Sequence, residues 1–124
     1  MSLLALQEKL QIASKDFQKL QSDLSVAVDA RQRLDAQLSE NEMVKKEFAL
    51  LKPGNEVYKQ IGPVLVKQDQ AEAKSNVDTR LEFIRGEINR IEVQIKDVET
   101  KSEKKKLELV EMQTAIQQQQ EQQQ

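Results

Sequence analysis

The sequence predicts a mostly α fold: a long antiparallel two-helix coiled coil with one central β-hairpin that joins an intersubunit sheet or β-barrel. Three observations carry this. The helix-breaking residues gather mid-chain, as Pro53-Gly54 and Gly62-Pro63, with Gly86 the only other glycine. Long arms on either side keep a three-four apolar spacing. Between the arms lie two short runs rich in β-branched residues.

The first arm, residues 1–52, places Leu3, Leu6, Leu10, Ala13, Phe17, Leu20, Leu24, Ala27, Arg31, Leu34, Leu38, Asn41, Lys45 and Phe48 on one seam. Eleven of these fourteen are apolar, and a sustained heptad of this kind keeps a narrow stripe against a partner helix. Near the end Val44 and Leu51 take over beside Phe48, a drift in phase that reads as a local change of winding. Arg31, Asn41 and Lys45 interrupt the stripe; polar seam residues ordinarily set register or orientation at some cost in stability.

The second arm, residues 69–116, repeats the spacing through Val77, Leu81, Ile84, Ile88, Ile91, Ile95, Val98, Ser102, Lys105, Leu109, Met112 and Ile116. Asp69, with Glu72 three residues on, suits an N-cap. Residues 117–124, the glutamine-rich run, have no apolar face to bury and are expected to form a disordered tail. At about 1.5 Å per residue, arms of about 45 residues would extend roughly 70 Å. Folded back on each other, the arms pair seam positions whose numbers sum to about 125, Phe17 with Leu109 and Phe48 with Val77 among them. Gly86 falls at an outward position, where glycine costs about 1 kcal/mol relative to alanine.

Residues 53–68 form the hairpin. NEVYKQI and VLVKQ flank Gly62-Pro63, and glycine followed by proline leaves the turn type open at this stage. Val57, Tyr58, Ile61, Val64, Leu65 and Val66 are the candidate assembly residues. An isolated two-stranded hairpin is only marginally stable in water, and its edges present unpaired N–H and C=O groups beside an apolar cluster, a condition that invites strands from other chains. The bland alternative is a local cap on the coiled coil. At the far end Leu3 and Leu6 would face Gln119 and Gln123. That leaves Leu3, Leu4 and Leu6, with Leu109, Met112 and Ile116, as candidate tips for weak binding of apolar segments, unless Leu3 and Leu6 simply continue the seam.

Composition argues against chemistry. The 124 residues contain no Cys and no His, which removes thiolate nucleophiles, sulfur-ligated zinc and the usual general base. No phosphate-cradling glycine loop, nucleophile elbow or metal motif is present, so neither an enzyme nor a cofactor is expected. Charged residues reach 32% yet nearly cancel at net −2, and the KSEKKK run at 101–106 has Glu99, Glu103 and Glu108 around it and no interleaved aromatics. No nucleic-acid partner is expected. No stretch of about 18 apolar residues and no basic leader occurs, so no membrane or secretory route is expected and the cytoplasm is the default.

The stretch NEVYKQIGPVLVKQD, followed by EAKSNVDTRLEFIRGEINRIE, resembles the beta class of the prefoldin family, and ARQRLDAQLSENEMVKKEFALL is similar to the matching first-helix segment. The GPVLV strand at Gly62–Val66 is its most specific part. A single hairpin fits the beta class better than the alpha class. The resemblance implies a heterohexamer of two alpha-class and four beta-class subunits whose hairpins form paired β-barrels. It also implies ATP-independent holding of unfolded clients, with nascent actin and tubulin prominent among them, and delivery to the cytosolic group II chaperonin. Assembly would fall to Val57, Tyr58, Ile61, Val64, Leu65 and Val66, and client binding to the arm tips. The rival is a structural coiled-coil adaptor that binds one specific folded helical partner.

Overall fold

The computed structural model describes residues 2–122. Their order is α1 (Leu3–Ala49), β1 (Val57–Ile61), β2 (Val64–Gln68) and α2 (Gln70–Gln122). The chain divides into two compact units. The hairpin unit is Arg31–Arg90; the terminal unit is Met1–Ala30 with Ile91–Gln124.

Helix α1 starts at a cap. The Ser2 hydroxyl accepts a hydrogen bond from the amide of Ala5 at 3.1 Å and its carbonyl accepts from Leu6 at 3.0 Å, satisfying donors that have no partner inside the helix. The expected seam is the buried face: every seam position from Leu3 to Asn41 is buried or half-buried. At Lys45 the face turns outward, while Val44, Phe48 and Leu51 are half-buried, which is the expected drift in phase.

Helix α2 begins where expected. The Asp69 carboxylate accepts from the amide of Glu72 at 3.2 Å and its carbonyl accepts from Ala73 at 2.9 Å. All twelve predicted seam positions, from Val77 to Ile116, are buried or half-buried. In the hairpin unit the core is Ala73, Val77, Leu81, Ile84 and Ile88, with Leu81 only 1% exposed. Lys45 meets Asp78 at 3.0 Å and Arg85 meets Glu42 at 3.5 Å, both on exposed flanks of this core.

The glutamine run differs from the expectation. Helix α2 continues through Gln122 rather than ending at Ile116, and Gln124 of the expected tail lies outside the described residues, as does Gln123. Glutamine is a good helix former with no breaker near it, and Gln119 is half-buried at the next seam position. Propensity and one further seam contact prevail where hydrophobicity alone pointed to disorder.

In the terminal unit Gln21 bonds Ser102 and Lys105 lies 3.9 Å from Asp16. These pairs sum to 123 and 121, close to the expected sum of about 125. The polar seam residue Asn41 donates to the carbonyl of Gln37 at 2.7 Å, four residues back on its own helix.

Two turns lead into and through the hairpin. Lys52-Pro53-Gly54-Asn55 closes with the Asn55 amide on the Lys52 carbonyl at 3.0 Å and the Lys52 amide on Asn55 Oδ1 at 2.7 Å. Gly62 is the only described residue with positive φ, so Gly54 carries negative φ and the turn has the type I sign pattern with proline second. Gln70, the first residue of α2, donates from Nε2 to the carbonyls of both Lys52 and Asn55, at 2.8 and 2.7 Å.

The second turn resolves the open question of type. Gly62 has φ +59° and proline's ring holds φ near −65°, the positive-then-negative pair of a type II′ turn, whose twist suits a hairpin. Proline's missing N–H costs nothing there, because the ladder resumes at Val64. The strands pair antiparallel as Ile61 with Val64, Gln60 with Leu65, Lys59 with Val66, Tyr58 with Lys67 and Val57 with Gln68.

Candidate assembly interface and helix ends

Strand alternation sorts the six predicted assembly residues onto two faces. Val57, Ile61, Val64 and Val66 share one face with Lys59 and Gln68; Tyr58 and Leu65 lie on the other with Gln60 and Lys67. Val57 is half-buried, in a shallow recess lined also by Val44, Phe48, Ala73 and Val77. The rest of that face is open: Ile61 is 56%, Val64 55% and Val66 46% exposed. Three adjacent β-branched side chains left in water on a two-stranded sheet form an unsatisfied apolar surface.

The backbone is equally incomplete. In a hairpin closed by a two-residue turn, the pair beside the turn exchanges both hydrogen bonds, and such pairs alternate along the ladder. Ile61 with Val64, Lys59 with Val66 and Val57 with Gln68 are therefore the bonded pairs. The N–H and C=O groups of Tyr58 and Gln60 point out from one edge, and those of Leu65 and Lys67 from the other. The sheet among the described residues has only these two strands, so both edges can accept another strand.

On the second face, the Tyr58 hydroxyl donates to Glu56 Oε2 at 2.5 Å and Lys67 Nζ reaches Glu56 Oε1 at 3.3 Å. The Tyr58 bond, followed by that from Lys67, holds the Glu56 carboxyl below the usual glutamate range, and the same bond pushes the Tyr58 hydroxyl up. Beside this network Tyr58 is 51% and Leu65 65% exposed, so the second face is as open as the first.

The helix ends depart from expectation. Of the predicted tip residues Leu3, Leu4, Leu6, Leu109, Met112 and Ile116, only Leu4 is exposed, at 66%; Ile116 is buried and the other four are half-buried. These five occupy seam positions, and because α2 runs on past Ile116 the seam closes over them. The apolar side chains left open in this unit sit off the seam and include Ile12, Leu107 and Val110. Their signal in the sequence is an apolar residue at an outward heptad position. Among the described residues no group of acids, His or Cys could hold a metal ion, and no helix is long and apolar enough to cross a membrane.

Comparison with known proteins points to one family. A family model described as prefoldin subunit matches residues 11–123. A Mus musculus protein named prefoldin subunit 6 is 46% identical over 112 residues, covering 90% of this chain and 88% of its own. Proteins of that name from Arabidopsis thaliana and Saccharomyces cerevisiae are 41% and 45% identical, over 90% and 77% of this chain. The crystal structure of the prefoldin beta subunit from Thermococcus strain KS-1 shares the fold, with a TM-score of 0.75 at 22% identity, covering 87% of this chain and 92% of that one. The chain belongs to the prefoldin subunit family.

Proposed function

We propose that this chain is a beta-class subunit of a hexameric, ATP-independent co-chaperone in the cytoplasm. It assembles with other alpha- and beta-class prefoldin subunits, holds unfolded polypeptides such as nascent actin and tubulin, and passes them to the cytosolic group II chaperonin. The observation that carries this reading is the hairpin: both backbone edges and the Ile61, Val64 and Val66 side chains lack partners among the described residues. Membership in the prefoldin subunit family supports equivalent hairpins as the missing neighbours.

The mechanism needs no bond-making, and no enzymatic activity is assigned. Docking of hairpins arrays several helix pairs in one particle, and weak apolar contacts on each then act together at high effective concentration. Leu4, Leu107 and Val110 are the open apolar groups best suited to those contacts, with Leu3, Leu6, Leu109, Met112 and Ile116 contributing where the seam opens.

The test mixes the chain with companion prefoldin subunits and follows two readouts, native mass and light scattering from actin diluted out of denaturant without ATP. A six-subunit particle that suppresses scattering is the expected result. Replacing Leu4, Leu107 and Val110 together by serine should preserve the particle and weaken suppression. A chain that stays monomeric beside its companions refutes the assembly role; full suppression by the triple variant refutes the role of those residues.

A further inference from the structure

Ser102 is the only buried polar residue among those described, 6% exposed at a seam position. Its hydroxyl accepts a 2.7 Å hydrogen bond from the Gln21 side-chain amide across the helix pair. Next along the seam, half-buried Lys105 holds Glu108 at 3.0 Å on its own helix and Asp16 at 3.9 Å on the other. The terminal unit is built from two segments with no covalent connection inside it, and a heptad seam tolerates a seven-residue slip because one apolar layer resembles the next.

We infer that Gln21–Ser102, backed by Asp16–Lys105, is the register lock of this unit. One heptad from Gln21 stand Ser14 and Val28; one heptad from Asp16 stand Lys9 and Asp23. Slipping one way sets Ser102 against Ser14, whose side chain is too short to span the gap that glutamine bridges, and sets Lys105 against Lys9, a like charge. Slipping the other way leaves Lys105 a carboxylate at Asp23 but strands the buried Ser102 hydroxyl against Val28, which has no donor. A buried hydroxyl without a partner biases an equilibrium about tenfold or more. The native register alone satisfies both positions, and the second slip is rejected by Ser102 alone. This inference does not depend on the proposed co-chaperone role.

The chain has no cysteine, so introduced pairs report register cleanly. In the full chain, Ala13→Cys with Leu109→Cys reads the native register, and Leu20→Cys with Leu109→Cys reads the slip that Ser102 rejects. In a glutathione redox buffer the first pair should close and the second should remain at least tenfold behind. Ser102→Ala should raise closure of the slipped pair about tenfold without lowering the thermal midpoint, since the freed Gln21 amide can turn to water; Ser102→Thr, which keeps the hydroxyl, should restore discrimination. Gln21→Ala should raise slipped closure likewise, independently of helix propensity at 102, but with a lowered midpoint because it leaves the buried Ser102 hydroxyl without its donor. No rise in slipped closure in either variant, or in Ser102→Ala a rise matched by a fall in midpoint, overturns the lock, the latter because it marks an ordinary stabilising bond.

Discussion

Replacing Ile61, Val64 and Val66 together by threonine tests the open face of the hairpin directly. Threonine keeps the branching at Cβ and the strand preference, so the hairpin itself is not disfavoured. Fully burying Val or Ile contributes about 1.5–3 kcal/mol relative to exposure. These three retain roughly half of their surface in water, so covering them in an assembly contributes about 1 kcal/mol each, or about 3 kcal/mol together. The triple variant should weaken association with companion subunits by about a hundredfold. Sedimentation velocity across a concentration series measures this. The thermal midpoint of the isolated chain should hardly move, because the face is already solvated there. Unchanged association refutes burial of this face between chains; a large fall in the midpoint of the isolated chain refutes the claim that its neighbours are missing.

Other consequences are simpler to check. Leu81→Ala removes the most completely buried side chain and should cost about 2–5 kcal/mol in denaturant unfolding. Gly86 is an exposed helical glycine at which an added Cβ meets nothing within 4 Å, so Gly86→Ala should stabilise by about 1 kcal/mol; destabilisation would reveal a contact at that position. Asp69→Ala removes the α2 cap and should cost about 1 kcal/mol, read by loss of amide protection over residues 70–73. The Glu56 carboxyl titrates below its usual range, so its bond from Tyr58 persists above that range and is lost as pH falls through the lowered value. Tyr58→Phe should raise the Glu56 titration midpoint seen by NMR, and an unmoved midpoint would refute the bond.

The arms were legible because a seam repeats: dozens of residues agree on one period, so single exceptions such as Arg31 or Ser102 do not blur it. The strands were legible from β-branched residues on either side of Gly62-Pro63, and the start of α2 from Asp69. The end of α2 was not, because a glutamine run balances weak hydrophobicity against good helix propensity, and the balance tips on whether a seam continues under it. Nor could spacing show that Ser102 is bonded rather than a flaw, since Gln21 lies off the seam and 81 residues away. The burial of the tips has a related reason: Leu109, Met112 and Ile116 keep the heptad, and keeping it is what covers them. Leu107 and Val110, which break it, are open to solvent.

The side chain of Gln70 grips the carbonyls at both ends of the Lys52–Asn55 turn, while the last residues of α1 reach that turn only through single i→i+3 bonds at Leu50 and Leu51. Through Gln70 the strands take their bearing from the helix that follows them, with Val57 beside Val44 and Phe48 as their side-chain link to α1. An added or lost residue near Leu50 would be absorbed in that slack stretch, leaving the aim of the sheet edges intact, whereas the same change between Gln68 and Gln70 would swing both edges away from any neighbour.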